Sequence, residues 1–403
     1  MTKIAEIINN DLCLGCGLCE AISRGKYKMH LTQRGFYRPE ITGEECDDKI
    51  CRICPGITIQ NQNRGKHFSI WGYVEQVSNA WAADSDIRRQ SSSGGVTSAL
   101  AIYLLESHKV DGVLHVGVQE NTYLYNKLYI SRNRNDVLTR NASRYAPAEV
   151  FNHIIDIFEA DKKETFAFIG KPCDIAAMQN FITAYPKYNH KIQYYLAIFC
   201  AGMPSYKATD KALSTFNKSE RPQALRYRGD GWPGYFTATY KDGTSCRMTY
   251  NESWGKILGR DLGFRCKICP DGIGLLADIA SGDSWNTQNG YPDFTEADGK
   301  NFCFIRTDKG VKLFKEAEEK GYIVTEHLNI NEIQHMQRYQ YDRRHLVGWR
   351  IATVQCLTGG ILNYNGLSFY RTALRGNMVR GIKDALGTAK RLIQSRKDNG
   401  KQQ

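Results

Sequence analysis

The densest run of cysteines in the chain lies near its N-terminus, in the segment DLCLGCGLCEAIS. This run places Cys13, Cys16 and Cys19 at intervals of three residues. A loop with such spacing can wrap around an iron-sulfur cluster, and a cluster with four irons takes four cysteine thiolates. The density of cysteine and glycine and the lack of periodicity up to about residue 66 predict a small module organised by a cofactor.

The fourth thiol must come from further along the chain. In the bacterial ferredoxin spacing a Cys-Pro pair follows three residues after such a run, but Ser23 stands at the corresponding position. The segment CRICPG supplies Cys54 followed by Pro55. The spacing therefore predicts a 4Fe-4S site with these ligands: Cys13, Cys16, Cys19 and Cys54.

Two alternatives remain open for this module. Cys51 could replace Cys54, because the distance from the run differs from the ferredoxin pattern, and Cys46 is a surplus thiol. Zinc also accepts four thiolates, but zinc sites more often contain two separated CxxC pairs. An iron-sulfur cluster is favoured on spacing.

Four more cysteines form a second candidate set. Cys173 and Cys200 each follow the end of a predicted strand, which is where open α/β sheets place ligand-binding residues. Neighbouring parallel strands would bring them together, and the segment FRCKICPDG adds a CxxC pair. The alternative for Cys173 and Cys200 is structural burial, since free cysteine is commonly buried. The complete second set is Cys173, Cys200, Cys266 and Cys269.

Composition narrows the classes of protein that remain. The chain has 403 residues, of which 42% are hydrophobic, and this length suits two or three domains. It contains no stretch of about 20 apolar residues and no secretory pattern, so a cytoplasmic protein is expected. Thirteen cysteines in a reducing compartment favour metal binding over disulfides. The chain has no GxSxG, HExxH or Walker sequence, which disfavours hydrolase and nucleotide-triphosphatase activities.

The net charge of +12 is concentrated in the C-terminal tail. From Arg343 onward there are twelve Lys and Arg against two acidic residues, so the rest of the chain carries only about +2. We therefore predict no nucleic-acid partner. The tail also has apolar residues at helical spacing, interleaved with basic ones: Leu374, Met378, Ile382, Leu386 and Ile393. Such a basic helix would contact an anionic membrane or an acidic partner, or would pack on the body with a solvated charged face.

Strands alternate with helices after Trp71, which indicates an α/β fold with a mixed, largely parallel sheet and flanking helices. Predicted strands include VDGVLHVGV, TFAFIG, IQYYLAIFC and NFCFIRT, and YFTATYKDGTSCRMTY predicts a hairpin. A small ferredoxin-like α+β module precedes this layer. The predicted domains are residues 1–66 for the cysteine module, 67–340 for the α/β domain and 341–403 for a basic helical tail.

The segment SSSGGVTSAL is a candidate phosphate-binding loop. It places Ser92, Ser93, Gly94 and Gly95 directly before a predicted helix, and helix N-termini offer amide groups and a positive dipole to anions. The pattern matches neither GxGxxG nor a P-loop, and a serine N-cap is the ordinary alternative.

Two further segments suggest contacts with a cofactor. The turn RGDGWPG could present the aromatic face of Trp232 to a planar ring, or could be purely structural. Asp278 and Asp283 lie near the second CxxC pair, where they would orient a cofactor or cap a turn.

Together these motifs resemble a family of iron-sulfur flavoproteins, the beta subunits of coenzyme F420 hydrogenase/dehydrogenase. The matching segments occur in family order over roughly residues 10 to 310: CLGCGLC, CRICPG, SSSGGVTSAL, GKPCDIAAM, FCAGMPS, RGDGWPG and CKICPDGIGLLADIASGD. The basic tail is outside the resemblance.

The resemblance implies two 4Fe-4S clusters and one FAD. It assigns the second cysteine set to an inner cluster in the FAD-binding domain, and the loop from Ser92 to Thr97 to FAD. It also suggests Arg144, Tyr145 and Lys171 as residues of the flavin pocket. Members of this family reduce different acceptors, including a deazaflavin coenzyme and a chlorophyll derivative, and some accompany surface-polysaccharide genes.

Two functions are therefore predicted. The first is an oxidoreductase that relays electrons from a ferredoxin or a partner redox subunit, through two clusters and FAD, to an unidentified small organic acceptor. The second is an electron-transfer subunit that has no substrate of its own and serves a partner enzyme. Surface-polysaccharide metabolism is a candidate setting for the first.

Overall fold

The fold was obtained as a computed structural model that describes residues 3–23, 25–42, 48–62 and 68–400. Cys46, the surplus thiol, lies outside these ranges. The N-terminal part combines short helices with a hairpin in which β1 and β2 pair antiparallel. Its elements are α1 (Lys3–Asn9), α2 (Leu18–Ile22), β1 (Tyr27–Leu31), β2 (Tyr37–Ile41), α3 (Asp48–Ile53) and β3 (Thr58–Gln60).

The first half of the α/β domain alternates strands and helices as predicted. Its elements are β4 (Phe68–Ser69), β5 (Gly72–Tyr73), β6 (Gln76–Ala82), α4 (Ser85–Gln90), α5 (Val96–Glu106), β7 (Gly112–Val118), β8 (Asn126–Ser131), α6 (Arg134–Leu138), α7 (Ile154–Ala160), β9 (Phe166–Gly170), α8 (Pro172–Ala184), β10 (Ile192–Ile198) and α9 (Tyr206–Ser214).

The second half contains the predicted hairpin and completes the main sheet. Its elements are β11 (Ala224–Arg226), β12 (Phe236–Thr239), β13 (Ser245–Met248), α10 (Phe264–Lys267), β14 (Ile279–Asp283), β15 (Thr287–Gln288), β16 (Tyr291–Pro292), β17 (Asn301–Ile305), α11 (Asp308–Glu319), β18 (Ile323–His327) and α12 (Ile333–Met336). A π-helix, Asn251–Ile257, follows the hairpin.

The C-terminal part is mostly helical: α13 (Arg338–Leu357), β19 (Asn363–Asn365), α14 (Phe369–Leu374) and α15 (Met378–Gly400). It packs on the rest of the chain, because β19 pairs with β3 of the N-terminal part and α15 contacts α1 and α10. None of the helices in the described ranges is long and apolar enough to cross a membrane.

The main sheet has eight strands in the order β18-β6-β17-β14-β10-β9-β7-β8. The four central strands, β14, β10, β9 and β7, are parallel to their neighbours within this group. The strands on both flanks are antiparallel. The predicted mixed α/β fold is confirmed, with its parallel pairing in the centre of the sheet.

Alternating side chains on the strands build a core on each face of the sheet. In β9, Phe166 and Phe168 join the core that contains α8 and the N-terminal module, while Ala167 joins the core that contains α5 and α11. In β17, Phe304 joins the first of these cores and Cys303 joins the second. This period of two is the expected pattern for a strand that is covered on both faces.

The buried side chains at the centre of α5 should dominate the stability of the core that contains α5 and α11. Leu100 is fully buried, so Leu100→Ala should lower the free energy of unfolding by about 2–5 kcal/mol, through lost burial and the cavity it leaves. The matched control Leu386→Ala removes the same atoms from a side chain that is 68% exposed, and it should change stability by less than about 0.5 kcal/mol. Urea unfolding followed by circular dichroism would measure both; equal effects would contradict this packing.

Candidate functional site

The first predicted cysteine set comes together in the N-terminal module. Its four thiols line one cavity beside α1 and β2, and we call these residues the outer nest: Cys13, Cys16, Cys19 and Cys54. The loop that carries them turns at Gly15, where φ is 69° and an added Cβ would lie 2.6 Å from the carbonyl oxygen of Tyr37. Only glycine suits that position.

The environment of the outer nest disfavours free thiolates. Burial raises the pKa of Cys54 to about 12, and the neighbouring thiol of Cys13 adds to the shift. Burial likewise raises the pKa of Cys16 and Cys19. Backbone amides oppose this effect, since Gly15 N–H donates to the sulfur of Cys13 at 3.3 Å. Amides directed at sulfur are also the contacts that tune a cluster's potential, so the donor set fits a cluster.

Cys51, the alternative ligand, occupies a different position. It is buried within α3 and belongs to the hydrophobic core, whereas Cys54 lies at the end of that helix and faces the cavity. The geometry therefore favours Cys54 as the fourth member of the outer nest.

The second predicted set also comes together, at the carboxyl edge of the central strands. Cys173 follows β9 and Cys200 follows β10, and these adjacent strands are parallel. The CxxC pair at the end of α10 completes the set. These four residues line one cavity, and we call them the inner nest: Cys173, Cys200, Cys266 and Cys269.

The two nests share a wall. Cys13 and Leu14 line both the outer cavity and the inner cavity. Asp11 fixes this junction, because its carboxylate accepts hydrogen bonds from Arg38 at 2.6 Å and from Phe264 N–H at 3.2 Å. Burial opposes the charge of Asp11, but Arg38 and Arg34 keep the pKa of this carboxyl below its usual value. The junction is therefore rigid and charged.

Buried cations surround the inner nest. The guanidinium of Arg343 donates to the backbone carbonyls of Cys200, at 3.1 Å, and of Cys266. Arg265 is 1% exposed and contacts the carbonyl oxygen of Pro55 at 3.3 Å, while its Nε and Nη1 atoms have no partner. Buried charges need compensation, and a thiolate-bound cluster beside Arg265 would supply it. The orphaned guanidinium thus fits a negatively charged cluster in this cavity.

Each nest lines a cavity with its four thiols. Among the residues that the structure describes, no group of three or more His, Cys, Asp or Glu side chains is placed to hold a single metal ion. A cavity lined by four sulfur donors is the donor set that a polynuclear iron-sulfur group takes.

A cleft opens directly beside the inner nest. Lys171, Cys200, Gly202 and Met203 line both the inner cavity and this cleft. The predicted loop supplies one wall with Ser92, Ser93, Gly95 and Thr97, at the N-terminus of α5. A second cavity continues from the cleft past Thr97 and Lys171 to His115. The two cavities therefore adjoin through shared lining residues.

The cleft contains unsatisfied polar atoms, which are rare inside proteins. Three buried side-chain atoms in its lining have no hydrogen-bond partner: Ser91 Oγ, Asn141 Nδ2 and Gln340 Oε1. The amide end of α5 adds a positive dipole. Donors, an acceptor and a helix N-terminus around one cleft fit a phosphate-bearing cofactor such as FAD.

The predicted flavin residues take different roles around this cleft. Tyr145 lines it and packs against Trp254, with ring centroids 4.8 Å apart and ring planes tilted by 47°. Lys171 lines it and pairs with Asp174 at 2.5 Å. Arg144 also lines it, but its guanidinium makes four hydrogen bonds, to Asn126 and to three backbone carbonyls. Arg144 therefore positions the surrounding loops.

Gly94 lies on the far side of its loop. Its carbonyl oxygen accepts a hydrogen bond from Ala82 N–H at 2.7 Å, and its Cα packs against Asn301. This glycine lets the loop approach β6 and β17 closely, and its neighbours form the cleft wall.

The aromatic contribution to the cleft differs from the prediction. Trp232 is 2% exposed and stacks on Trp285, with centroids 4.6 Å apart and ring planes 8° from parallel. Trp285, not Trp232, lines the cleft. Asp283 also lines it and forms an ion pair with Arg228 at 2.9 Å. Asp278 lies away from the cleft, where its carboxylate accepts a hydrogen bond from Tyr195 N–H.

Several site residues were missed in the sequence. Arg265 stands next to Cys266, and this adjacency was the signal that could have found it. Arg343 belongs to the segment predicted as a basic tail, and Gln340 is the last residue of the predicted α/β domain, where no motif marks it. Asn141 has no local signature, because only the fold brings it to the α5 loop.

Known proteins resemble this chain over most of the α/β domain. The model for the beta-subunit N-terminal domain of coenzyme F420 hydrogenase/dehydrogenase matches residues 77–154, and the model for the C-terminal domain of the same protein matches residues 163–330. The F420-dependent formate dehydrogenase subunit beta of Methanocaldococcus jannaschii is 29% identical over 60% of this chain, and the match spans 59% of that relative's length. The coenzyme F420 hydrogenase subunit beta of Methanococcus voltae is 24% identical over 66% of this chain and 88% of its own length.

A solved structure shows the same fold. A chain of the F420-reducing [NiFe] hydrogenase complex from Methanosarcina barkeri superposes with a TM-score of 0.51 at 19% identity, covering 72% of this chain and 96% of that chain. The named relatives are subunits of a formate dehydrogenase and of a hydrogenase. The chain belongs to the family of coenzyme F420 hydrogenase/dehydrogenase beta subunits.

The outer nest can be tested with one matched pair of cysteines. Cys54→Ala should remove about four irons per chain from anaerobically purified protein, because it deletes one of four donors. Cys51→Ala should leave the iron content unchanged, since the side chain of Cys51 is one of the buried residues of α3. Iron and acid-labile sulfide assays measure the result, and the reverse outcome would assign the ligand to Cys51.

The same assay applies to the inner nest. Cys266→Ala or Cys269→Ala should remove a similar amount of iron. Cys303→Ala is the control. Cys303 is fully buried in β17 and belongs to the core on the other face of the sheet, which contains α5 and α11. Iron loss only in the control would contradict the assignment.

Proposed function

We propose that the chain is an iron-sulfur flavoprotein oxidoreductase that relays single electrons through two 4Fe-4S clusters to FAD, which reduces a small organic acceptor. The outer nest would hold the first cluster and the inner nest the second. The cleft beside the inner nest would hold FAD.

The observation that carries this proposal is the continuity of the three sites. Cys13 lines the cavity of each nest, and Cys200 lines both the cavity of the inner nest and the cleft. Three cavities in contact, two of them lined by four cysteines each, form an uninterrupted series. Such a series supports electron transfer more directly than it supports three unrelated structural sites.

When bound, the clusters exchange single electrons, while the flavin exchanges two electrons together with protons, so the combination joins one-electron donors to two-electron acceptors. For each acceptor reduced, two electrons enter singly, two protons are taken up from solvent, and two electrons with two protons leave to the acceptor. The chain's own contribution is placement and electrostatics. Lys171 and Arg265 put positive charge beside the inner nest, and Arg343 fixes two of the nest's backbone carbonyls.

The cleft residues have two further roles in this proposal. The N-terminus of α5 and the orphaned donor of Asn141 would bind the phosphates of FAD. The rings of Trp285, Tyr250 and Trp254 line the opposite side of the cleft and would exclude water from a bound planar ring.

A second candidate is an electron-transfer subunit without a substrate of its own. The relatives above are named as subunits, and their names give F420 as their coenzyme. In this candidate a ferredoxin or partner redox subunit supplies the outer nest, and a partner protein consumes the electrons. Use of F420 by this chain is a proposal in either case, and a cytoplasmic location and a role in surface-polysaccharide metabolism stay predictions.

Reoxidation of the reduced protein separates the two candidates. Anaerobically purified chain should contain about eight irons and one FAD, and dithionite should bleach its visible absorbance. In the first candidate, a small molecule such as oxidised F420 restores the flavin absorbance without another protein. Recovery only after a partner protein is added would favour the second candidate, and a preparation without iron, sulfide or flavin would eliminate both.

The flavin site can be tested separately at Thr97, which lines the cleft at the start of α5. Thr97→Asp should weaken FAD binding by about tenfold or more, because its carboxylate would repel the cofactor phosphates. The helix should persist, since acidic residues stabilise a first turn, and iron should be retained.

Thr97→Ser is the control for this substitution, because it keeps the hydroxyl and adds no charge. It should bind FAD as the unmodified chain does, as measured by titration of flavin fluorescence. Unchanged affinity in Thr97→Asp would show that FAD phosphates do not lie at this helix.

A further inference from the structure

The C-terminal helices present an apolar surface to solvent. Six aliphatic side chains of α14 and α15 are between 48% and 71% exposed. We call them the apolar stripe: Leu374, Met378, Val379, Ile382, Leu386 and Ile393. The sequence predicted an amphipathic helix here, and in a helix that merely covers a core these residues would face inward.

The inward face of α15 is made mainly of small and polar residues instead, with Leu392 as its buried leucine. Thr388 and Leu392 are fully buried, and Gly381 lies so close to Trp349 that a Cβ would be 2.3 Å from the indole nitrogen. Asp384 binds the guanidinium of Arg350 through two hydrogen bonds, at 2.5 and 3.2 Å. These contacts fix the rotation of α15, so the apolar stripe cannot turn toward the body without breaking them.

A line of lysines borders the apolar stripe. Lys383, Lys390 and Lys397 are exposed and stand seven residues apart, which places them along one side of the helix. Among the described side chains of α14 and α15, Asp384 is the only acidic one, and it is occupied by Arg350. The outer face of α15 is therefore apolar in the middle and positively charged at its edge.

We propose that the outer face of α15 binds an anionic membrane surface. The helix would lie in the plane of the interface with the apolar stripe among the acyl chains, and its lysines would reach anionic headgroups. With 23 residues the helix is about 35 Å long, and it would attach the protein without crossing the bilayer. This inference is independent of the proposed redox function.

The composition of the surface favours lipid over a protein partner. Protein interfaces are enriched in aromatic residues, Met and Arg and depleted in lysine, whereas the apolar stripe consists of Leu, Ile and Val with a single Met and has a lysine edge. A single protruding helix also needs a matching groove on a protein partner, while acyl chains adapt to convex side chains.

A second copy of the chain is a less suitable occupant. Two copies packed through the apolar stripe would bring their lysine lines and their basic tails close together. Like charges at an interface oppose association, and anionic headgroups have the complementary charge.

The position of α15 gives this attachment a consequence for the redox sites. The helix contacts α10, which carries Cys266, and α1 of the module that holds the outer nest. Membrane binding through its outer face would hold both nests on the membrane-proximal side of the molecule.

Vesicle flotation with the full chain, purified with its cofactors, tests the proposal. Vesicles of phosphatidylcholine with about one quarter phosphatidylglycerol should bind the protein at least tenfold more strongly than pure phosphatidylcholine. Raising the salt to about 0.5 M should weaken binding, because surface charges are then screened. The double variant Ile382→Ser/Leu386→Ser and the variant Lys383→Glu/Lys390→Glu should each lose at least tenfold in binding.

Matched controls carry the same changes elsewhere. Val324→Ser alters an exposed residue of the edge strand β18, and Lys312→Glu alters an exposed lysine of α11; both should bind as the unmodified chain does. Iron and flavin contents check that all variants are folded. Equal binding to neutral vesicles or no binding would overturn the proposal, as would a dimer in solution that Ile382→Ser/Leu386→Ser converts to a monomer.

Discussion

The convergence of eight partly buried thiols in two adjoining nests is the constraint on which the rest of the structure depends. Desolvation raises the pKa of the four outer-nest thiols and of Cys173, Cys200 and Cys266, so a ligand-competent thiolate requires positive charge nearby. The chain provides that charge with arginines that are themselves buried, among them Arg38, Arg265 and Arg343. Each arginine is held by backbone carbonyls or by a carboxylate, and these contacts join the N-terminal module, α10 and α13 into one unit.

The parallel centre of the sheet gives the second nest its geometry. Because β9, β10 and β14 run in the same direction, their carboxyl ends meet at one edge. Cys173 and Cys200 follow the ends of β9 and β10 and belong to the inner nest. Asp283 is the last residue of β14 and lines the cleft. The antiparallel strands on the flanks add width to the sheet and support α5, whose N-terminus forms the opposite wall.

Local sequence signals account for much of this site. The CxxCxxC run and the Cys-Pro pair predicted the outer nest, and the positions of Cys173 and Cys200 after strands predicted their meeting. Long-range packing accounts for the rest. Which tryptophan would face the cleft depended on how the turn at Trp232 packs, and the apolar period of α15 could not reveal which face would be covered. Asn141 joins the cleft through the fold alone.

The order of these contacts along the chain has a consequence for biosynthesis. The cysteines of the outer nest are complete by residue 54 and those of the inner nest by residue 269, yet Arg343 and the β19 strand that closes against β3 come much later. A ribosome therefore releases both sets of ligands before it has made the segments that cover them. In the proposed function, clusters would enter the nests before the C-terminal segments pack over them, and the last helices to be made would then close the sites.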